Sequence, residues 1–359
     1  MPTYNRRELG KLALAALPVV ASGRPTSKPN STWAGVTVGM NVPYSFGTRT
    51  AMSAEDVLQK CVQIGLSSVE LRAQAIEKSL GLPDSIVLGP APSDYNAALA
   101  PVGEIPGVWK PGESTSGTAG GAGAGAPGAR NVGTARSVRP QTAEQVAAYR
   151  AAAAELRKWR LAAPLGKAGD LRRAYERAGV AIDIVKFDGL SDLPDEELDY
   201  ALTLAHTLGA RAVSGELSAP AAKRLGQAAD RNKMWIGLHG HVAVTAAIWE
   251  QAFAHSRYLG ANVDIGHFVA GNNTSPLPFI QQHHARITHL HVKDRNRNDG
   301  PNVPFGQGDT PIREILQAIR DNPWPIPAMI EFEIPLPPGT DRTPELRKCL
   351  DYCKQCLLG

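Results

Sequence analysis

This sequence is poor in several features that would decide a protein's class early. Four cysteines stand in 359 residues: Cys61 alone, and Cys349, Cys353 and Cys356 at spacings of four and three near the C-terminus. Those last three project from a similar side of a helix. With no His or fourth Cys at ligand spacing they read as packing residues or a chance disulfide rather than as a zinc site. The net charge is only +4 and is spread along the chain, which removes the electrostatic case for a dedicated nucleic-acid binder. No apolar run is long enough to serve as a mature membrane span, and no glycine fingerprint of a dinucleotide fold occurs. Aromatic residues make up 6%. What is there, 43% hydrophobic and 20% charged residues, is the composition of a soluble globular protein with chain enough for one large domain or two small ones.

The N-terminus reads as an address. Asn5-Arg6-Arg7-Glu8-Leu9-Gly10-Lys11 precedes the apolar stretch Leu12 to Ala21, and a polar, Pro-rich segment follows. The pattern resembles a twin-arginine export signal over residues 1–21, cleaved after Ala21, with 22–32 as linker; the alternative is a short amphipathic helix. The signal implies export to the periplasm, and a cytoplasmic protein if it does not function. Twin-arginine export carries folded proteins, so it is compatible with a metal loaded before export.

From Trp33 onward short β-branched or apolar runs alternate with longer helical patterns, the signature of a parallel α/β architecture. Strands are expected at 35–40, 68–71, 181–187, 210–215, 235–239, 261–265, 287–292 and 328–332. Helices are expected at 54–64, 143–178, 195–208, 219–231, 244–259, 276–284, 311–320 and 344–357, several of them opened by Ser, Thr, Asp or Pro and closed by Gly or Asn. Eight such units predict a closed (β/α)8 TIM barrel over residues 33–359 rather than an open sheet. One stretch breaks the rhythm. Residues 84–140, after the second strand, are Gly-, Ala- and Pro-rich, and thirteen of the twenty-two residues from Gly112 to Gly133 are Gly or Ala. Such a segment buries too little apolar surface to offset its ordering entropy, so it is expected as a partly disordered insertion, with a lid over the active face as one role.

In a barrel of this kind chemistry sits where strands end. The fourth expected strand closes on Glu216, the fifth on His239-Gly-His241, and the sixth on Val263-Asp264-Ile-Gly-His267. The seventh runs His289-Leu-His291-Val-Lys293-Asp294 and the eighth Glu331-Phe-Glu333. Five neighbouring strands thus deliver carboxylates and imidazoles to one rim. Converging carboxylates repel unless something positive lies between them, and a divalent cation meets that need.

The strings Val263-Asp264-Ile-Gly-His267, His289-Leu-His291-Val-Lys293-Asp294, Phe305-Gly-Gln-Gly-Asp309 and Ile330-Glu331-Phe-Glu333 resemble the xylose-isomerase-like TIM-barrel family of sugar isomerases and epimerases. The resemblance covers nearly all of the mature chain apart from the Gly/Ala insertion. It implies one divalent metal on Glu216, Asp264, His291 and Glu331, with Mn²⁺ first and Mg²⁺, Co²⁺ or Zn²⁺ as alternatives. Many members have Glu closing the fifth strand where this chain has His239, so Glu216 takes that place only if its strand end reaches the metal. Glu333 shares a face with Glu331 and is the alternative ligand. His239 joins Glu216 and Glu331 as a candidate proton-transfer residue. His241, His267, Lys293 and Arg295 are candidate substrate contacts, each weighed against plain packing or a solvated charge cluster. His289 lies deeper and reads as structural.

A sugar binding such a metal through adjacent carbonyl and hydroxyl oxygens would be deprotonated to an enediolate, giving isomerisation or epimerisation. A leaving group β to that carbanion would instead give a lyase or dehydratase acting on a keto-sugar, keto-glycoside or inosose. A non-catalytic exported sugar-binding barrel is the reading from another class. A nuclease of the endonuclease branch would need His on the early strands, which supply Asn41 and Glu70, and Asp309 has no His beside it. The expected partner is a small carbohydrate, unphosphorylated if the protein is exported, with no nucleic acid and no stable membrane anchor; a homo-oligomer is left open.

Overall fold

The structure is a computed structural model that describes residues 28–47, 52–86, 142–337 and 339–359. The export signal and nearly all of the insertion lie outside the described residues.

Eight parallel strands form the frame: β1 (Val36–Val42), β2 (Ser68–Arg72), β3 (Ala181–Lys186), β4 (Ala212–Glu216), β5 (Trp235–His239), β6 (Leu259–Asp264), β7 (Ile287–Val292) and β8 (Ala328–Ile330). Each pairs with the next, and β8 pairs with β1, so the sheet closes. Closure removes both edges and fixes the (β/α)8 barrel expected from the rhythm of the chain. Thr32–Trp33 adds a short antiparallel strand beside β1, so the end of the expected linker is paired into the fold.

The helices are α1 (Ala54–Ile64), α2 (Ala73–Leu80), α3 (Ala143–Leu161), α4 (Leu165–Ala178), α5 (Asp195–Leu208), α6 (Ala222–Asn232), α7 (Ala246–Phe253), α8 (Ile265–Asn272), α9 (Leu277–His283), α10 (Ile312–Asp321) and α11 (Thr343–Leu358). The single helix expected over 143–178 is two. Pro164 has no N–H to continue α3 and stands instead at the N-cap of α4. Sequence periodicity also missed α2 and α8, each of only eight residues and starting directly at a strand end. α1 starts where a capping box predicts: Ser53 accepts from the Asp56 amide, and the Asp56 side chain accepts from the Ser53 amide.

Alternation along the strands divides the interior into two zones. Val38, Met40, Val69, Leu71, Val185, Val213, Ile236, Leu238, Val263, Leu290, Val292 and Ile330 are buried in the main core shared with the helices. A second, separate apolar cluster consists of Ile184, Ala212 and Met329, with Trp235 packed against it. All four cysteines are free and buried, as packing residues would be.

Candidate functional site

The alternate residues of the same strands carry a polar set. Asn41, Glu70, Lys186, Ser214, His239, Asn262, Asp264, His289, His291, Lys293 and Glu331 are all buried. Register makes neighbours of several: Glu216 lies beside His239 and Asp264 beside His291.

Each donor is held by a partner on its far side. Asp264 ends β6 and caps α8, its Oδ1 accepting from the His267 amide at 2.7 Å, which leaves Oδ2 turned inward. His291 Nε2 is 2.5 Å from Glu70 Oε2, leaving Nδ1 inward. His239 Nδ1 is 2.9 Å from Glu216 Oε2, leaving Nε2 inward. Glu331 Oε1 accepts from Asn41 at 2.8 Å, with Oε2 inward. The inward atoms converge: Asp264 Oδ2 is 3.5 Å from His239 Nε2 and 3.9 Å from His291 Nδ1, and Glu331 Oε2 is 3.2 Å from His291 Nδ1. His239, Asp264, His291 and Glu331 together form one group of four donors within 4.8 Å of one another. Three of the inward atoms, His239 Nε2, Asp264 Oδ2 and His291 Nδ1, are buried and make no well-formed hydrogen bond among the described residues, although Lys293 Nζ lies 3.0 Å from Asp264 Oδ2 and Glu331 Oε2 lies 3.2 Å from His291 Nδ1.

Buried polar atoms whose hydrogen bonds are poorly formed are costly, and three that converge in one place suit an ion between them. Two imidazole nitrogens and two carboxylate oxygens fit a divalent ion chemically. Both imidazoles also show the arrangement seen around metals, in which the outer nitrogen rests on a carboxylate and so fixes which nitrogen faces in. The carboxylates that do this are Glu216 and Glu70. Glu70 is inconspicuous in the sequence because it stands in mid-strand rather than at a strand end, 221 residues from its partner.

The predicted site residues divide accordingly. Asp264, His291 and Glu331 come together. Glu216 stands outside that group: its Oε1 accepts from Lys186 at 2.7 Å, and its Oε2 serves His239 and His241 (2.7 Å), with which it makes a group of its own. The fifth strand therefore contributes His239 where Glu216 was expected. Glu333 lies one step out, its Oε1 accepting from Tyr44 at 2.5 Å.

Lys293 is 2% exposed and is the cation of the site. Its Nζ lies 2.7 Å from Glu331 Oε2, 2.7 Å from Glu333 Oε2 and 3.0 Å from Asp264 Oδ2. Gly266 makes room for it, since a Cβ there would lie 2.4 Å from Lys293 Cγ. Arg295 spends its donors on the Gly300 carbonyl, Asp299 and His267 Nδ1, so it braces the loop and His267. His289 is fully buried, its Nδ1 2.9 Å from Thr288 Oγ1 and its Nε2 3.4 Å from Glu70 Oε1. The Phe305-to-Asp309 string wraps Asp294, whose Oδ2 accepts from the Gly306 and Gly308 amides; a Cβ on Gly308 would lie 2.3 Å from Asp294 Oδ1. That motif fixes the turn after Lys293.

Charge follows this geometry. Burial alone would raise the Asp264 and Glu331 carboxyls, but the neighbouring imidazoles and Lys293 outweigh it and hold both low. Burial would lower the His291 imidazole, yet Glu70 and Glu331 push it up to about 10. The Lys293 ammonium, against its burial, is held well above its ordinary value by Asp264, Glu331 and Glu333. His289, dominated by burial, falls to about 4.

Residues 196–356 match the sequence model of the family described as Xylose isomerase-like TIM barrel. No curated protein matches the chain. Among solved structures, a xylose isomerase domain protein from Planctomyces limnophilus aligns at 14% identity and TM-score 0.54, covering 90% of this chain and 98% of its own. AsbF of Bacillus anthracis, described as the probable 3-DHS dehydratase involved in petrobactin synthesis, aligns at 12% and 0.53, covering 88% and 98%. A xylose isomerase domain protein from Alicyclobacillus acidocaldarius aligns at 14% and 0.50, covering 90% and 100%. At these identities the likeness is one of fold. The chain is accordingly a (β/α)8 barrel of the xylose isomerase-like fold, with its polar cluster at the strand ends where such barrels carry their chemistry.

Proposed function

We propose that this protein is a divalent-metal-dependent enzyme acting on a small hydroxylated carbonyl compound, as a sugar isomerase or epimerase that removes and returns a proton beside the carbonyl. The reading rests on one observation, the convergence of His239 Nε2, Asp264 Oδ2, His291 Nδ1 and Glu331 Oε2 in one buried group. These four residues would hold the ion. Two nitrogens and two oxygens suit Mn²⁺ first and Zn²⁺ or Co²⁺ next, and suit Mg²⁺ less than an all-oxygen set would. When bound, the ion supplies Lewis-acid polarisation of the substrate carbonyl, which acidifies the neighbouring C–H.

The chain's own residues do the rest. Glu331 is fixed at Oε1 by Asn41 and kept as a carboxylate by Lys293, so it is a positioned base. Glu216, partly open to solvent, joins His239 and the more exposed His241 in a second proton-transfer group on the other side. Burial keeps water from competing for the carbanion.

Elimination is the second reading, and the place of Glu216 favours it. With Glu216 drawn to Lys186, the central group has Glu331 as the carboxylate not engaged in capping a helix, and His241, which lies outside that group, is the imidazole placed to protonate a departing oxygen. Isomerisation or epimerisation predicts uptake of deuterium from deuterated water at the reprotonated carbon of the product; elimination does not return the abstracted proton, and a product lighter by a leaving group identifies the lyase. Metal analysis of protein purified without chelator, repeated on Asp264→Ala and Glu331→Gln, tests the site. Full retention of metal in both variants removes it.

A further inference from the structure

Beside the central group lies a cleft of about 570 Å³, a size that takes a sugar-sized ligand. Glu333 belongs to both: it lines the cleft, and its Oε2 accepts from the same Lys293 Nζ that reaches Glu331. Tyr44, Asn302, Phe332 and Arg342 are among the other lining residues.

Two of these have capacity that the described residues leave unused. Asn302 Nδ2 faces Glu333 Oε2 at 3.5 Å, which orients the amide and leaves Oδ1 a buried acceptor with no partner among the described residues. Arg342 lies with its guanidinium carbon 5.6 Å from the centre of the Phe332 ring, and its Nη1 makes one long bond, 3.4 Å, to the Ser45 carbonyl. Among the described residues no carboxylate reaches Arg342 at ion-pair distance. Glu333, by contrast, is already neutralised by Lys293 and held by the Tyr44 hydroxyl.

Asn302 Oδ1 is enclosed and out of a ligand's reach in this arrangement, whereas an uncompensated guanidinium lining a cleft asks for an oxyanion, for which its planar fork is matched. Resting on the enzymatic reading above, we propose that this cleft binds the part of the substrate remote from the reacting carbon, and that the substrate is a polyhydroxylated monocarboxylate, its carboxylate on Arg342. A dianionic phosphate suits it less, because among the described residues Arg342 is the single cation lining the cleft and Glu333 stands beside it.

Calorimetric titration of the full chain with D-glucuronate, D-glucose and D-glucose 6-phosphate tests this. D-glucuronate is expected to bind at least ~10-fold more tightly than D-glucose. Arg342→Gln should bring it down to the level of D-glucose, Arg342→Lys should keep part of the difference, and neither should alter metal content. Binding of D-glucuronate indifferent to Arg342→Gln, or weaker than that of the phosphate, overturns the proposal. Arg342-dependent uronate binding by a protein that holds no metal and exchanges no proton leaves this subsite standing and removes the enzymatic reading. Metal and exchange together with indifference to Arg342 does the reverse.

Discussion

On their outward faces the eight strands carry Val38, Met40, Val69, Leu71, Val213, Ile236, Leu238 and Val263, buried against the helices in one continuous apolar core. The inward faces of the same strands, one residue out of step, carry Glu70, Lys186, His239, Asp264, His291 and Glu331, equally buried. The two faces are bonded into one sheet but are held by different physics. The outer face needs only area and volume to match, and any well-packed apolar side chain meets that need. The inner face gains little from burial. Its stability depends on every charge finding an opposite, and it concentrates reactive groups because water is excluded there.

The comparison can be broken from either side. The largest effect is expected for Lys293→Met, which leaves Asp264, Glu331 and Glu333 without their cation. Metal-free protein should lose about 3–5 kcal/mol in urea denaturation, the usual cost of orphaning a buried charge, and Mn²⁺ should restore much of it. A variant as stable as the parent without metal would show that Lys293 is not what compensates the site. Ile236→Ala on the outer face should cost about 2–5 kcal/mol by cavity formation and leave metal content untouched. A change in metal stoichiometry there would mean that the two faces are coupled.

Smaller effects sharpen the picture. Glu70→Gln keeps the shape but weakens the hold on His291, so metal affinity measured by competition with a chelating dye should fall about 10–100-fold with the fold intact by circular dichroism. An unchanged affinity would assign Glu70 a packing role only. Arg172→Ala, which removes an exposed pair with Glu176 on α4, should change stability by only about 0.3–0.5 kcal/mol. A larger loss would show that the outer surface is less tolerant than its exposure suggests.

Legibility in the sequence differed between the two faces for the same reason. Strands β5 and β7 were read to their observed ends, and α1 and α5 likewise, because apolar periodicity and capping residues are local signals. The short helices α2 and α8 carry too few turns for a periodic signal, and the break at Pro164 was hidden inside a long Ala-rich run. On the inner face Asp264, His291 and Glu331 were legible as polar residues closing apolar strands. Which fifth-strand or fourth-strand group would join them was not. His239 and Glu216 are adjacent in register, and only their packing sends His239 Nε2 to Asp264 and Glu216 to Lys186.

The sequence alone determined the alternation of eight strands and helices, and with it the closed barrel and the rim on which its polar residues gather. Tertiary structure alone decided the grouping: Glu70 against His291, Lys293 among three carboxylates, and Arg342 in the cleft beside Glu333. Periodicity is a property of neighbours along the chain, whereas a charge is satisfied by whatever closure and register bring within about 3 Å of it, and those partners lie tens to hundreds of residues away.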